Sequence, residues 1–214
     1  MKETLDSFAE MWRCLREDID RYVAMGDYTW WVCLLTSPGV WVTGQYRFSR
    51  WVKFDFHMPV VRQGLRLFCA IAQKAIMLST NCEFPNGARI GKGLFIPHPY
   101  GIVLHQDVEI GEYCNLGQYT TIGIGGRKEK SGVPKLGDRV FVAPGACIFG
   151  KISIGDDAAI GANAVVTKSL AAKAVAVGIP AKVISYEGSQ DFMIYRKDKD
   201  CKDLPNQRAD FEDS

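Results

Sequence analysis

A six-residue repeat constrains this chain more than any other feature of its sequence. Between residues 136 and 170 a large aliphatic residue recurs at every sixth position without a slip, and a small residue often follows it. The recurring residues are Leu136, Val142, Ile148, Ile154, Ile160 and Val166. An α-helix repeats every 3.6 residues and a strand every 2, so a period of six indicates a short strand followed by a tight corner. A hexapeptide period is typical of a parallel β-helix, whose coils stack on one another.

The repeat continues towards the N-terminus with two interruptions. It is held by Ile110, Leu116 and Ile122 and, further upstream, by Leu78, Phe84, Ile90, Ile96 and Ile102. The step from Ile102 to Ile110 leaves two residues extra, and the step from Ile122 to Leu136 leaves eight extra. Extra residues in a stack of coils form outward loops, often on the binding face. The sequence therefore predicts that the chemistry lies near residues 123–135.

The N-terminal third of the chain carries helical patterns instead. Apolar residues in the stretch 4–25 recur at helical spacing with charged residues between them. The aromatic-rich stretch 28–56 is divided by Ser-Pro-Gly at 37–39, which predicts two helices there. Pro59 can open a further amphipathic helix over 60–78.

These patterns predict three regions in a mainly β protein. An α-helical N-terminal domain spans residues 1–77, and the β-helix spans residues 78–184. A polar tail follows at 185–214, rich in acids and poor in apolar residues, and we expect it to be loosely docked or disordered.

The helical region is also basic, with six Lys or Arg residues and one acid between Gln45 and Lys74. Basic and aromatic residues together are compatible with contact to a membrane surface. The alternative is a bundle that packs on itself or on a second subunit, and we favour it because amphipathic core helices are the commoner case.

Composition excludes several classes of protein. The chain has 214 residues and a net charge of only +2, so its overall charge gives no indication of nucleic-acid binding. Its seven cysteines show no C-x-x-C spacing and are interpreted as reduced thiols of a cytoplasmic protein. Residues 1–10 are polar rather than a secretory signal, and no apolar run reaches the roughly 18 residues of a membrane span.

The region 88–184 resembles the catalytic domain of serine O-acetyltransferases, within the hexapeptide-repeat acyltransferases. The matching segments are Ile90-Gly91-Lys92-Gly93, His98 with Gly101-Ile102-Val103, Gln118 with Thr121-Ile122-Gly123, Pro134-Lys135, and Gly178-Ile179-Pro180-Ala181-Lys182-Val183-Ile184. The resemblance implies a left-handed β-helix, a homotrimer with active sites between neighbouring subunits, and acetyl-CoA as donor. Whether two trimers pair into a hexamer stays open.

Within this resemblance, His98 occupies the position of the catalytic base, whose ordinary pKa lies near working pH. Glu83, fifteen residues earlier, occupies the position of the acid that orients it. With about eighteen residues in a coil, Glu83 should lie on the coil next to His98. The resemblance gives His105 no role. A zinc enzyme of the γ-carbonic anhydrase kind needs three converging histidines, and only these two lie in the repeat, so no metal is expected.

The glycine-rich turn that follows the repeat residue Ile122 is predicted to receive the thioester. In the resemblance, Gly123, Ile124 and Gly125 offer backbone N–H groups to the thioester carbonyl, and glycine permits the close approach. The residues assigned to binding of CoA are Gly126, Arg127, Lys128, Ala162, Lys168 and Lys182. The basic ones suit phosphates.

Two departures from the family pattern concern the acceptor, and a third concerns the terminal isoleucine by which enzymes of that pathway often dock into a partner sulfhydrylase. Pro97 stands where the family has Asp, Gly132-Val133 stands where it has Arg-His, and the chain ends in serine rather than isoleucine. An amino acid needs charged partners for its own charges. The sequence therefore predicts an O-acetyltransferase for a hydroxyl of a polysaccharide sugar or its precursor. The alternatives are L-serine as acceptor and a non-catalytic trimeric scaffold.

Overall fold

The computed structural model describes residues 7–25, 29–127 and 131–193. Four helices come first: α1 Phe8–Met25, α2 Trp30–Thr36, α3 Pro38–Phe54 and α4 Pro59–Thr80. The predicted division at 37–39 is confirmed, because α2 ends before Ser37 and α3 begins at Pro38. Proline at the first helical position has no N–H to leave unsatisfied, which suits both α3 and α4.

Short strands make up the rest of the described chain. They are β1 Arg89–Ile90, β2 Val103–Leu104, β3 Glu109–Ile110, β4 Asn115–Leu116, β5 Thr121–Gly123, β6 Lys135–Leu136, β7 Phe141–Val142, β8 Cys147–Phe149, β9 Ser153–Ile154, β10 Ala159–Ile160, β11 Val165–Val166, β12 Val175–Val177 and β13 Lys182–Ser185. They form a first sheet (β1-β3-β6-β9), a second (β4-β7-β10-β12-β13) and a third (β2-β5-β8-β11). All pairs are parallel except β12–β13. The chain thus winds in three-sided coils, mainly β with N-terminal helices.

The strand register confirms the long insertion. Partners on successive coils are eighteen residues apart, as for Lys135 and Ser153. Across the long insertion they are twenty-six apart, as for Thr121 and Cys147. The eight additional residues therefore leave the stack between β5 and β6, where the six-residue pattern placed them.

The predicted place of the short insertion is wrong. Phe95 pairs with Asn115, twenty residues on, whereas Val103 pairs with Thr121, eighteen residues on. The two extra residues therefore lie between Phe95 and Val103, not after Ile102. Ile102 and Leu104 are both buried, so the hydrophobic pattern alone did not distinguish which of them holds the repeat.

Leu78 is also not part of the repeat. It lies in the last turns of α4 with 87% of its surface exposed, and the helix ends at Thr80 before the left-handed Asn81. The predicted domain boundary at residue 77 thus falls within α4. The repeat begins at Phe84, which is buried.

The interior of the coils is apolar, as predicted. The recurring residues from Leu136 to Val166 are all buried, and so are the residues four places on, such as Val140 and Ala146, except for the half-buried Ile152. Side chains from the three sheets meet there in one core. This core fixes the backbone on which the corners, and therefore the site, are displayed.

Polar side chains from the helices cover the open end of the first coil. Asp18 of α1 and Arg47 of α3 form a buried ion pair, with Nε 3.0 Å from Oδ2. Arg47 also donates to the carbonyl of Gly91 at 2.6 Å, and Asp18 accepts from the N–H of Leu94 at 2.8 Å. These backbone groups have no coil above them, so they would be costly to bury unpaired. Burial raises the pKa of the Asp18 carboxyl, and the Arg47 guanidinium opposes that rise.

Three further side chains make hydrogen bonds to backbone groups of the first coil. The Tyr22 hydroxyl donates to the carbonyl of Ile96 at 2.9 Å and accepts from its N–H at 3.1 Å. Tyr46 donates to the carbonyl of Ala88 at 2.6 Å, and Arg21 donates to the carbonyl of Gly93 at 2.9 Å. The helices and the coils are therefore joined by hydrogen bonds as well as by apolar contact.

The C-terminal part of the described chain folds back on the coils. β13 runs antiparallel to β12, and a 3₁₀ turn follows at Gln190–Phe192. The Ser189 hydroxyl donates to the carbonyl of Arg139 at 2.6 Å, and Phe192 stacks on Phe141. The rest of the predicted tail lies outside the described residues. None of the helices in the described ranges has the length and apolar character to cross a bilayer.

Two buried cysteines give a test of the packing. Burial raises the pKa of the Cys14 and Cys114 thiols to about 12, so almost no reactive thiolate forms at pH 8. We expect iodoacetamide at that pH to leave both unlabelled in the folded protein and to label both in urea, read by mass spectrometry. Cys147, which is only half-buried, is the internal control. Labelling of folded Cys114 as fast as Cys147 would contradict the packing.

Candidate active site

His98 lies on the corner that the short insertion enlarges. This corner joins the second sheet to the third, and the side chains of Pro97 and His98 are exposed while Pro99 is buried. The two prolines restrict the backbone on either side of the histidine. The N–H of Tyr100 donates to the carbonyl of His98 at 2.9 Å and closes the turn. The imidazole is therefore presented at the surface on a stiff backbone.

Glu83 lies on the neighbouring coil, beside the strand that follows this corner. It pairs with Val103, accepting from the N–H of Leu104 at 3.1 Å and donating its own N–H to Ile102 at 2.8 Å. The side chain of Glu83 is exposed. Both Glu83 and His98 are in the described part of the chain, and no hydrogen bond or ion pair joins their side chains. The orienting role of Glu83 stays a prediction.

The glycine turn is held at its base by a pair of backbone hydrogen bonds. Gly125 and Gly132 exchange N–H···O bonds of 3.0 Å each, so the long insertion leaves the coil through a narrow neck. A Cβ on Gly125 would lie 2.8 Å from the Gly150 amide nitrogen. Gly126 has a φ of +86°, which disfavours any other residue. Glycine is thus required by contact with the next coil, whatever the turn binds.

Gly125→Ala tests whether this close contact supports activity. The added Cβ must displace Phe149 or Gly150, which moves the turn. A displacement of about 1 Å at a reacting centre can cost roughly 10²-fold, so we expect kcat/KM to fall by roughly tenfold to a hundredfold. Steady-state assays with acetyl-CoA measure this. Gly64→Ala is the matched control, because its Cβ meets nothing within 4 Å, and full activity in both variants would contradict a role for the turn.

The residues predicted to bind CoA are spread over different parts of the coils. Ala162 lies three coils beyond His98 on the same corner, and Lys168 lies two coils beyond the glycine turn on the corner between the third and first sheets. Lys182 lies on β13, against the second sheet. Arg127 is exposed on the loop, and Lys128 lies outside the described residues.

His98 and the glycine turn are therefore far apart in a single chain. His98 precedes β2 and the turn follows β5, and these parallel strands are neighbours in the third sheet. The two features stand at opposite ends of that sheet. One chain alone does not bring the predicted base next to the predicted thioester turn.

Two tyrosines near His98 were not singled out from the sequence. Tyr100 is 47% exposed and Tyr119 is 64% exposed, and the N–H of Tyr119 donates to the carbonyl of Tyr100 at 2.7 Å. Tyr119 has a φ of +59°, and its ring lies over Gly101, where a Cβ would come within 2.5 Å of it. The six-residue pattern passes over both, because Tyr119 lies three residues before the repeat residue Ile122 and Tyr100 lies four residues before its partner Leu104.

Among residues 7–25, 29–127 and 131–193, no group of three or more His, Cys, Asp or Glu side chains is arranged to hold a metal ion. His105 instead accepts from the N–H of Asp107 through Nδ1 at 3.2 Å. This is a local turn contact, which fits the absence of any catalytic assignment for His105.

Comparison with known proteins agrees with this architecture. A serine acetyltransferase from Helicobacter pylori is 37% identical over 155 residues, which cover 72% of this chain and 86% of that protein. A serine acetyltransferase from Bacillus subtilis is 30% identical over 203 residues, which cover 92% of this chain and 87% of that protein. The chain belongs to the serine acetyltransferase family. No protein-family model matches it.

Solved structures of the serine acetyltransferase family share the fold. The enzyme from Neisseria gonorrhoeae superposes with a TM-score of 0.71 at 25% identity, covering 86% of this chain and 71% of that one. A serine acetyltransferase in complex with CoA superposes with a TM-score of 0.66 at 25% identity, covering 84% of this chain and 72% of that one. As a member of this family of hexapeptide-repeat acyltransferases, the chain is an O-acetyltransferase with acetyl-CoA as co-substrate.

Proposed function

We propose that this O-acetyltransferase transfers the acetyl group of acetyl-CoA to the hydroxyl of L-serine. The comparisons favour this acceptor over the sugar hydroxyl that the sequence analysis predicted, because the relatives and the solved structures described above are serine acetyltransferases. The observation that carries the chemistry is His98, presented on an enlarged corner of the family's catalytic scaffold.

In the proposed reaction, His98 removes the proton of the acceptor hydroxyl while its oxygen attacks the thioester carbonyl carbon. The backbone N–H groups of the turn Gly123-Ile124-Gly125 stabilise the oxyanion that forms. The C–S bond then breaks, and the imidazolium returns its proton to the CoA thiolate. Glu83 keeps the imidazole in the correct tautomer and stabilises its charged form.

The assembly is part of the proposal. The coils form a left-handed β-helix, and three copies associate so that the His98 corner of one faces the glycine-turn corner of the next. The separation of these two corners in a single chain supports this arrangement. Ala162 and Lys168 support it too, because Ala162 lies further along the His98 corner and Lys168 further along the glycine-turn corner. We also infer a cytoplasmic location, because the six described cysteines are all free thiols.

A second acceptor, a neutral sugar hydroxyl, is favoured by one feature of the site. Pro97, Gly132 and Val133 carry no charge at the positions where the resemblance places the groups that grip an amino acid. The exposed Tyr100 lies on the His98 corner and the exposed Tyr119 on the same corner of the next coil, and an aromatic face suits the apolar face of a sugar ring.

An acceptor panel decides between them. Release of CoA thiol from acetyl-CoA is followed with L-serine, with D-serine, with a set of hexoses and amino sugars, and without acceptor. The serine proposal predicts turnover with L-serine well above the blank and selective over D-serine. Turnover with a sugar and none with L-serine would move the assignment to the second acceptor. Thiol release with no acceptor on the panel would contradict both.

A further inference from the structure

The corner that carries His98 is held from both ends by helical residues. At its start, Ile96 is buried, and both of its backbone groups pair with the Tyr22 hydroxyl of α1, the N–H at 3.1 Å and the carbonyl at 2.9 Å. Near its far end, the N–H of Gly101 donates to the carbonyl of Thr80, the last residue of α4, at 2.9 Å. His98 lies between these two anchors.

On the second coil, the first coil supplies the corresponding partners. Leu116 occupies the position of Ile96, and its N–H donates to the carbonyl of Phe95 at 3.0 Å. At the far end of the same corner, the N–H of Tyr119 also donates to a carbonyl of the first coil, at 2.7 Å. On the first coil itself, α1 and α4 stand where an earlier coil would lie, and they satisfy backbone groups that would be costly to bury unpaired.

Two prolines stiffen the link between these anchors and the imidazole. Pro97 joins Ile96 to His98, and Pro99 follows the histidine, each with its φ fixed by the ring. The N–H of Tyr100 closes the turn on the carbonyl of His98. Few backbone angles in this corner can absorb a displacement, so a movement of either anchor moves the imidazole.

We propose that Tyr22 and Thr80 are positioning residues for His98, so that the helical region sets the place of the base. This inference rests on the role of His98 in the proposed function. The side chain of Thr80 steadies its own carbonyl, because Oγ1 donates to the carbonyl of Ile76 at 2.8 Å and accepts from the N–H of Cys82 at 3.2 Å. Each hydroxyl pairs two backbone groups, and its removal leaves both without that partner.

Tyr22→Phe tests the anchor on α1, because it removes the hydroxyl and keeps the ring against Phe95. Its matched control is Tyr46→Phe, which removes a buried hydroxyl that donates to Ala88, just before the first sheet, at 2.6 Å. Urea denaturation should show a loss of stability in both variants. Only Tyr22→Phe should also lower kcat, by roughly tenfold to a hundredfold, because a shift of about 1 Å at a reacting centre can cost roughly 10²-fold. Its KM values and its CoA dissociation constant should stay within about twofold of the parent.

The anchor on α4 has its own pair of variants. Thr80→Val removes both hydrogen bonds of Oγ1 and loosens the end of the helix that presents its carbonyl to Gly101. We expect kcat to fall roughly threefold or more, and Thr80→Ser, which keeps the hydroxyl, to restore it. Thr43→Val is the control, since Thr43 is also buried and its hydroxyl donates to the carbonyl of Val40 within α3 at 3.3 Å. Its kcat should match that of the parent.

A positioning residue acts only through the group that it positions. In the His98→Ala background, Tyr22→Phe should therefore change the residual kcat by less than about twofold, measured with L-serine or with the sugar that the acceptor panel identifies. A further tenfold fall in that background would overturn the inference, and so would a kcat for Tyr22→Phe equal to that of Tyr46→Phe. Full activity in His98→Ala alone would remove the proposed base, and the inference with it, so the two failures are distinguished.

Discussion

Replacing His98 by alanine is expected to lower kcat for acetyl transfer by roughly 10²- to 10⁴-fold, the contribution of a positioned general base. The exposed imidazole on the enlarged corner is the group we expect to remove the acceptor proton. CoA should bind with unchanged affinity, because the residues assigned to it are the glycine turn and the basic side chains. Thiol release measures kcat, and calorimetry measures the CoA dissociation constant.

His105→Ala is the matched control for that variant. His105 is the other histidine of the coils, and its ring makes a local contact with the N–H of Asp107. Its loss should leave kcat within about twofold of the parent, in line with a surface substitution. A His98→Ala protein that binds CoA and keeps full activity, or an equal loss in both variants, would remove His98 from the mechanism.

The second large effect is on stability. Asp18→Asn should lower the free energy of unfolding by about 3–5 kcal/mol, because Arg47 would remain buried without its counter-charge. In either orientation the amide also turns an N–H₂ group towards a donor, because both carboxylate oxygens accept from Arg47 and Oδ1 accepts from the N–H of Leu94 as well. Urea denaturation at fixed protein concentration measures the change.

The control lies on the same helix but at the surface. Arg13 pairs with Glu10 at 2.8 Å, and the Arg13 side chain is 49% exposed. Arg13→Gln should therefore cost less than about 1 kcal/mol. If Asp18→Asn unfolded at the same urea concentration as the parent, the polar cap of the first coil would not be an important source of stability.

Much of the solenoid could be predicted because its period is set by the backbone itself. One aliphatic residue must face the core on each short strand, so the spacing of Leu136 to Val166 specifies both strand and corner. The place of the long insertion was predicted from the same six-residue spacing, and the strand register confirms it. The resemblance to serine acetyltransferases rested on these spacings together with short glycine motifs, and the comparisons confirm the family.

The errors arose where hydrophobicity is ambiguous or contacts are remote. Ile102 and Leu104 are both buried, so the hydrophobic pattern placed the short insertion after Ile102. The strand register places it earlier, on the corner that carries His98. Leu78 matched the period by chance, within a helix that runs to Thr80. The buried Asp18–Arg47 pair joins residues 29 positions apart, and local patterns carry no signal for it. The separation of the two corners of the site likewise depends on coil geometry.

The most direct test of the central claim is a crystal structure of the protein with CoA. We expect the CoA sulfur to lie within about 3–4 Å of the His98 imidazole, near-attack range for proton and acyl transfer. We also expect the pantetheine arm to follow the Gly123–Gly126 turn of a neighbouring copy. A CoA sulfur bound away from His98, or an imidazole facing away from the groove between copies, would contradict this claim.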